Sequence, residues 1–185
     1  MPLAISDRLS LRPFRRSDAE DLFRYISDWQ VAQWLARLPY PYSMADAKSW
    51  VADNATPATI PPFKLCLARD DRLIGGIGLV SSDEPDRLEL GYWLSRPAWG
   101  QGIMAHVVGS LLAATDHAVP DLKLCAGVEP SNLRSAAVLE RLGFAETGTR
   151  TIWSVPRQSQ VTLRWFIRDR NCRPYCHAFF LRGGL

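Results

Sequence analysis

Three groups of residues in this 185-residue chain have the types and spacing for chemistry. The first is Trp99-Gly-Gln-Gly-Ile-Met104, where an apolar strand-like run ends in Gly100-Gln101-Gly102 and flows into a helical pattern. Glycine has no Cβ, so amides at Gly100 and Gly102 can lie bare against a ligand. The helix start adds unpaired N–H groups and the positive end of the helix dipole. That combination binds phosphate or pyrophosphate, although a Gly-X-Gly turn that serves only packing has the same sequence. The second group is Asn132 and Ser135, three residues apart at a helix start and therefore on one face. Asn132 also suits an N-cap. The third is Glu89, on the strand that leads to the glycines. Alternation puts it on one face with Gly91 and Trp93.

The elements that must position these residues can be read in order. Arg8-Leu-Ser-Leu-Arg12 alternates as a first strand and Pro13 stops it. Ser17, with Glu20 three residues on, reads as a helix cap, and the helix runs through Leu22, Phe23, Tyr25 and Ile26. A short second helix carries Val31, Trp34 and Leu35, and Ser43-Met-Ala-Asp46 caps a third. Pro57, Pro61 and Pro62 mark a loop. Strands over 63–69, 73–80 and 88–95 form an antiparallel meander. A helix over 103–118, a strand over 122–128 and a helix over 132–142 follow, the last closed by Gly143. Two strands, near 144–155 and 160–168, end the pattern. This order predicts an α+β fold with a mixed, mostly antiparallel sheet of about seven strands flanked by helices. A single domain over 1–168 and a tail over 169–185 are expected.

The bulk composition narrows the classes. At 47% hydrophobic and 22% charged the chain reads as an ordinary globular protein. It has no apolar run of membrane-spanning length and its start is no signal peptide, so a cytoplasmic location is expected. Cys66 and Cys125 sit in apolar runs and read as small core residues, while Cys172, Cys176 and His177 lack a fourth ligand for metal. The net charge of +3 is uneven: seven arginines from Arg150 onward face one acid, Asp169. Those arginines alternate with apolar residues as on a solvated strand face, and no nucleic-acid motif accompanies them.

Four features in combination carry a family resemblance: Leu9-Ser-Leu-Arg-Pro13 with Asp18; Gly91-Tyr-Trp-Leu94; Trp99-Gly-Gln-Gly102; and Asn132-x-x-Ser135 leading to Leu142-Gly-Phe144. With the element order, residues 7–168 resemble the GNAT acyl-CoA N-acyltransferases, closest to the ribosomal-protein alanine N-acetyltransferase type. One departure is Arg96, where the family often has Pro, with Pro97 one place later.

The resemblance implies transfer of an acetyl group from acetyl-CoA to a primary amine, without metal. Trp99, Gly100, Gln101, Gly102, Ile103 and Met104 would cradle the pyrophosphate. Leu94 and Ser95 would offer backbone groups to the pantetheine arm, with the amide near Leu94 toward the thioester oxygen. Asn132 would bond the arm and Ser135 the departing sulfur, or Ser135 is a small packing residue. Many relatives place a Tyr acid seven residues after that Asn; here the position is Leu139. Arg134 and Arg141 would reach the adenosine 3′-phosphate or form exposed salt bridges. Glu89 would deprotonate the amine through a water, or is a charged residue on an exposed strand face. His106 and His117 read as surface or core histidines, and Trp29, Trp34, Tyr40 and Tyr42 are candidates to line the acceptor side. The acceptor is a protein N-terminal amine or a small amine such as an aminoglycoside or polyamine. A weakly catalytic acyl-CoA-binding module is a third reading, and a homodimer is compatible with each.

Overall fold

The computed structural model describes residues 3–56, 62–84, 86–119 and 121–169. Eight strands form one sheet in the order β1-β2-β3-β4-β5-β6-β8-β7. They are β1 (Leu3–Ala4), β2 (Leu9–Arg12), β3 (Phe63–Arg69), β4 (Arg72–Ser81), β5 (Arg87–Leu94), β6 (Lys123–Val128), β7 (Ala145–Ser154) and β8 (Ser159–Arg168). All neighbouring strands run antiparallel except β5 and β6. The strand beyond the expected seven is the two-residue β1, paired to β2 through Leu3↔Leu11 and Ala4↔Ser10, too short to show alternation.

Among the described residues five α-helices flank the sheet: α1 (Ala19–Ile26), α2 (Trp29–Ala32), α3 (Met44–Asp53), α4 (Ile103–Ala118) and α5 (Leu133–Arg141). Their apolar stripes build two cores. One unites α4 and α5 with the sheet through Val107, Val108, Leu111, Leu124, Leu139 and Phe166. The other packs α1 and α3 on β3 and β4 through Leu22, Ile26, Val51, Cys66 and Leu73. Each face of a sheet needs such cover.

Local chemistry sets most boundaries. The Ser43–Asp46 capping box forms in both directions: Asp46 N–H donates to Ser43 Oγ at 3.1 Å and Ser43 N–H to Asp46 Oδ2 at 2.8 Å. The expected Ser17 cap does not form. Instead the Asp18 carboxylate accepts from Arg15 N–H at 2.7 Å, and a 3-10 turn at Arg16–Asp18 precedes α1. Asp18 is drawn into that place by Arg12, whose two Nη atoms each donate to it at 2.8 Å in a buried, bidentate pair. The Leu9-Ser-Leu-Arg-Pro13 motif and Asp18 thus form one structural unit. The second helix is shorter than expected, ending at Ala32 before Trp34 and Leu35. Cys172, Cys176, His177 and all of the 169–185 tail except Asp169 lie outside the described residues.

Candidate active site

The site begins where a parallel strand pair stops pairing. β5 follows β4 along its whole length, from Ser81↔Leu88 to Gly75↔Leu94. It pairs with β6 only at Arg87↔Lys123, Leu88↔Leu124 and Glu89↔Cys125. On its other edge β6 pairs with β8, from Leu124↔Arg168 to Val128↔Arg164. A wedge therefore opens after Glu89 and Cys125, and β5 keeps an edge without a strand partner among the described residues.

The direction of that edge follows from antiparallel geometry. Ser95 N–H donates to Ile74 O at 2.8 Å, so the peptide groups of alternate residues Ser95, Trp93 and Gly91 turn toward β4. Those of Leu90, Tyr92 and Leu94 turn toward the wedge. Leu94 O already accepts from the Trp99 indole at 2.7 Å, which leaves the Leu94 N–H as that residue's unmatched group among the described residues. Ser95 is placed differently from the sequence expectation. Its amide is held by Ile74, its carbonyl accepts from Ala98 N–H at 3.0 Å, and its side chain is buried.

At the head of the wedge the chain makes the Gly-X-Gly turn. Gly100 and Gly102 have φ of +73° and +69°, the left-handed region that glycine enters without strain. A Cβ at either would meet no atom within 4 Å, so the turn presents bare backbone to open space. Gly102 is the N-cap of α4, with no side-chain cap and no acid in the first turn. The first intrahelical bond runs from His106 N–H to Gly102 O, so the amides of Ile103, Met104 and Ala105 precede it. This arrangement suits an anion. Gln101 braces the turn: its Oε1 accepts from Arg69 at 2.8 Å and its Nε2 donates to Pro97 O at 2.9 Å. The Arg134 guanidinium lies 5.1 Å from the centre of the Trp99 ring, tying the turn to the start of α5.

Across the wedge, Asn132 caps α5, its Oδ1 accepting from Ser135 N–H at 3.2 Å. Ser135 Oγ is 2.9 Å from Tyr92 Oη, and that phenol also lies 3.2 Å from Ser135 O. Burial pushes the Tyr92 phenol up to about 12, outweighing the opposing effect of the Ser135 hydrogen bond. Leu139, in the slot of the missing Tyr, is fully buried. The contact between Tyr92 and Ser135 could not be read in the sequence, because 43 residues separate the two.

On the opposite sheet face, Glu89 stands level with the last β5–β6 pair. Gly91 beside it is exposed, and a Cβ there would meet nothing within 4 Å. Glu89 Oε2 accepts from Arg37 Nη2 at 2.8 Å. Glu129, a second carboxylate overlooked in the sequence, follows β6 and lies 3.8 Å from Arg157. Arg157 stands 5.8 Å from the Trp34 ring and its Nε donates to Gln33 O at 3.3 Å, so the β7–β8 turn holds the segment that carries Arg37. Val155 N–H adds a bond to Ala36 O at 2.8 Å. Trp29 and Tyr40 are exposed and pack together with ring centres 5.1 Å apart. Tyr42 does not join them: it is buried in the α1–α3 core, where burial raises its phenol to about 12. His106 ties α4 to the N-terminal segment, its Nε2 lying 3.2 Å from Ile5 O. His117 is in the last turn of α4.

A mixed sheet that splays between the parallel strands β5 and β6, with a glycine turn capping α4 at the head of the wedge, is the architecture the family resemblance implies. The family profile "Acetyltransferase (GNAT) domain" matches residues 8–145. The chain is 30% identical over 154 residues to "Uncharacterized N-acetyltransferase p20" of Bacillus licheniformis, covering 80% of this chain and 85% of that one. Among solved structures, the RimL ribosomal L7/L12 α-N-protein acetyltransferase in complex with coenzyme A superposes with a TM-score of 0.76 at 19% identity, covering 94% of this chain and 100% of that one. The ribosomal-protein-S5-alanine acetyltransferase of Vibrio fischeri gives a TM-score of 0.72 at 17% identity, covering 94% of this chain and 100% of that one. This chain belongs to the GNAT acetyltransferase family, and so to the acetyl-CoA-dependent N-acetyltransferases.

Proposed function

We propose that the wedge and its glycine turn hold acetyl-CoA, and that the chain acetylates a primary amine, with a protein N-terminal amine as acceptor. The observation that carries this reading is the end of β5–β6 pairing at Glu89↔Cys125, which frees a strand edge leading straight to the Gly100–Gly102 turn. The amides at 100–104 receive the pyrophosphate. The groups of Leu90, Tyr92 and Leu94 pair with the amides of the pantetheine arm as an added strand would. Asn132 Nδ2 makes no hydrogen bond within the described residues and is available to the same arm. The thioester supplies an electrophilic carbon. The Leu94 N–H then faces its oxygen, where charge grows during attack.

On the acceptor face Glu89 takes the proton of the incoming ammonium through a water, and Ser135 stands on the other side toward the sulfur. A polyamine or aminoglycoside site would need unmatched acids. Glu89 and Glu129 are each matched by an arginine, Arg37 and Arg157, which favours an acceptor with fewer positive charges. The test is acetyl-CoA consumption across peptides with free N-termini, polyamines and aminoglycosides. The reading expects turnover with peptides. Turnover confined to polyamines or aminoglycosides would replace the acceptor, and none with any amine would leave an acyl-CoA-binding module.

A further inference from the structure

The two hydroxyls that meet across the wedge have a division of labour. Tyr92 stands on β5, packed against the α4–α5 core, and Ser135 stands in the first turn of α5. Two protons and three oxygens meet there: Tyr92 Oη, Ser135 Oγ at 2.9 Å and Ser135 O at 3.2 Å. At rest the network can close on itself, with Tyr92 O–H donating to Ser135 O and Ser135 O–H donating to Tyr92 Oη. In that arrangement Ser135 has no proton to offer a ligand. If Tyr92 instead donates to Ser135 Oγ, the serine proton is free and can only point away from the phenol.

We propose that Tyr92 is the positioning residue that turns the Ser135 hydroxyl toward the departing sulfur, so that a phenol from β5 works through a serine on α5. This rests on the reading of Ser135 as the group that meets the sulfur. As the tetrahedral carbon collapses to the amide, the nitrogen that formed the new C–N bond gives its extra proton to water, the C–S bond breaks and its electron pair leaves on sulfur. The Ser135 O–H rotates to that growing charge, and the Tyr92 O–H rotates from the carbonyl to Ser135 Oγ. No proton leaves Tyr92. A phenol held near 12 is a far weaker acid than a thiol near ~8.5, so the pair acts by hydrogen bonding and the thiolate takes its proton from water. The raised value keeps Tyr92 a neutral donor throughout.

The test uses Tyr92→Phe, Ser135→Ala and the double variant, with steady-state kinetics, acetyl-CoA calorimetry and thermal melts on each. One orienting hydrogen bond gives an expected fall in kcat of about 3- to 10-fold for Tyr92→Phe, with acetyl-CoA affinity held within about 2-fold. Ser135→Ala falls at least as far, and the double variant matches Ser135→Ala alone, because Tyr92 acts only through the serine. A normal kcat in Tyr92→Phe, or losses that multiply in the double variant, overturns the proposal. Full turnover in folded Ser135→Ala fails the underlying reading of Ser135 instead. Should Tyr92→Phe not fold, 3-fluorotyrosine at position 92 keeps the ring and strengthens the donor: kcat above the wild-type value supports the proposal, and an unchanged or lowered kcat overturns it.

Discussion

Glu89 and Arg37 form an ion pair of 2.8 Å on the sheet face that carries Gly91, with the carboxylate largely covered and the arginine 70% exposed. The pair brings a base candidate on the sheet together with a cation from the segment after α2. Glu89→Gln keeps the size and a hydrogen bond to Arg37 but removes the proton acceptor. Amine acetylation should fall by ~10²–10⁴-fold near neutral pH, with acetyl-CoA affinity nearly unchanged. The deficit should shrink as pH rises, since more amine arrives already deprotonated. Initial rates from pH 6.5 to 9.5 check this, and a flat deficit would separate Glu89 from proton removal.

Arg37→Ala leaves Glu89 without its counter-ion. With the arginine largely in water, such a pair contributes only ~0–1 kcal/mol, so the melting temperature should barely move. The consequence should appear in acceptor choice: KM for a polyamine should fall several-fold relative to KM for a neutral peptide. Paired acceptor titrations on both proteins measure that ratio.

Arg12 and Asp18 carry a stability prediction. Their bidentate bonds lie out of water, and Arg12 also donates to Asp71 O at 2.9 Å and Pro13 O at 3.1 Å. Asp18→Ala would strand a buried guanidinium and remove the acceptor for Arg15 N–H. Loss of one partner of a buried pair costs about 3–5 kcal/mol. Urea unfolding of Asp18→Ala should show that loss as a lower midpoint with an unchanged slope.

Alkaline stability should reflect two phenols. Burial lifts Tyr42 and Tyr92 to about 12, above the ordinary value of 10.0. Between those values the folded chain keeps protons that the unfolded chain has released, so stability falls as pH rises from about 10 to about 12. Below about 10 both states are protonated and the contribution is complete. Denaturant midpoints at pH 9 and pH 11 should fall more steeply in the wild type than in Tyr42→Phe, which removes one of the two groups.

Much of this was legible in the chain because its signals are local. The Ser43–Asp46 box, the Asn132 cap and the Gly143 terminus each act within a few residues, and their helices lie where expected. Glycine pairing at 100 and 102 located the turn because positive φ selects glycine. Signals that failed were those a distant partner overrides. Arg12 captures Asp18, so the cap falls on Arg15 rather than Ser17. The packing of α3 on β3 and β4 takes Tyr42 into the core, a burial set by elements distant in sequence. The Tyr92–Ser135 contact and the matching of Glu129 by Arg157 join elements that only the folded sheet brings together.

The most direct test of the central claim is a calorimetric titration of acetyl-CoA into the wild-type protein and into Gly100→Asp. Space for the side chain exists, since a Cβ at Gly100 meets no atom within 4 Å, but φ is +73° and the new carboxylate would face the pyrophosphate. Aspartate tolerates this backbone region better than most residues, so the variant should fold. The account predicts saturable binding to the wild type and a loss of at least ~10-fold in affinity for the variant, about 1.4 kcal/mol. Equal affinity in a folded Gly100→Asp protein would contradict it and move the cofactor away from this turn.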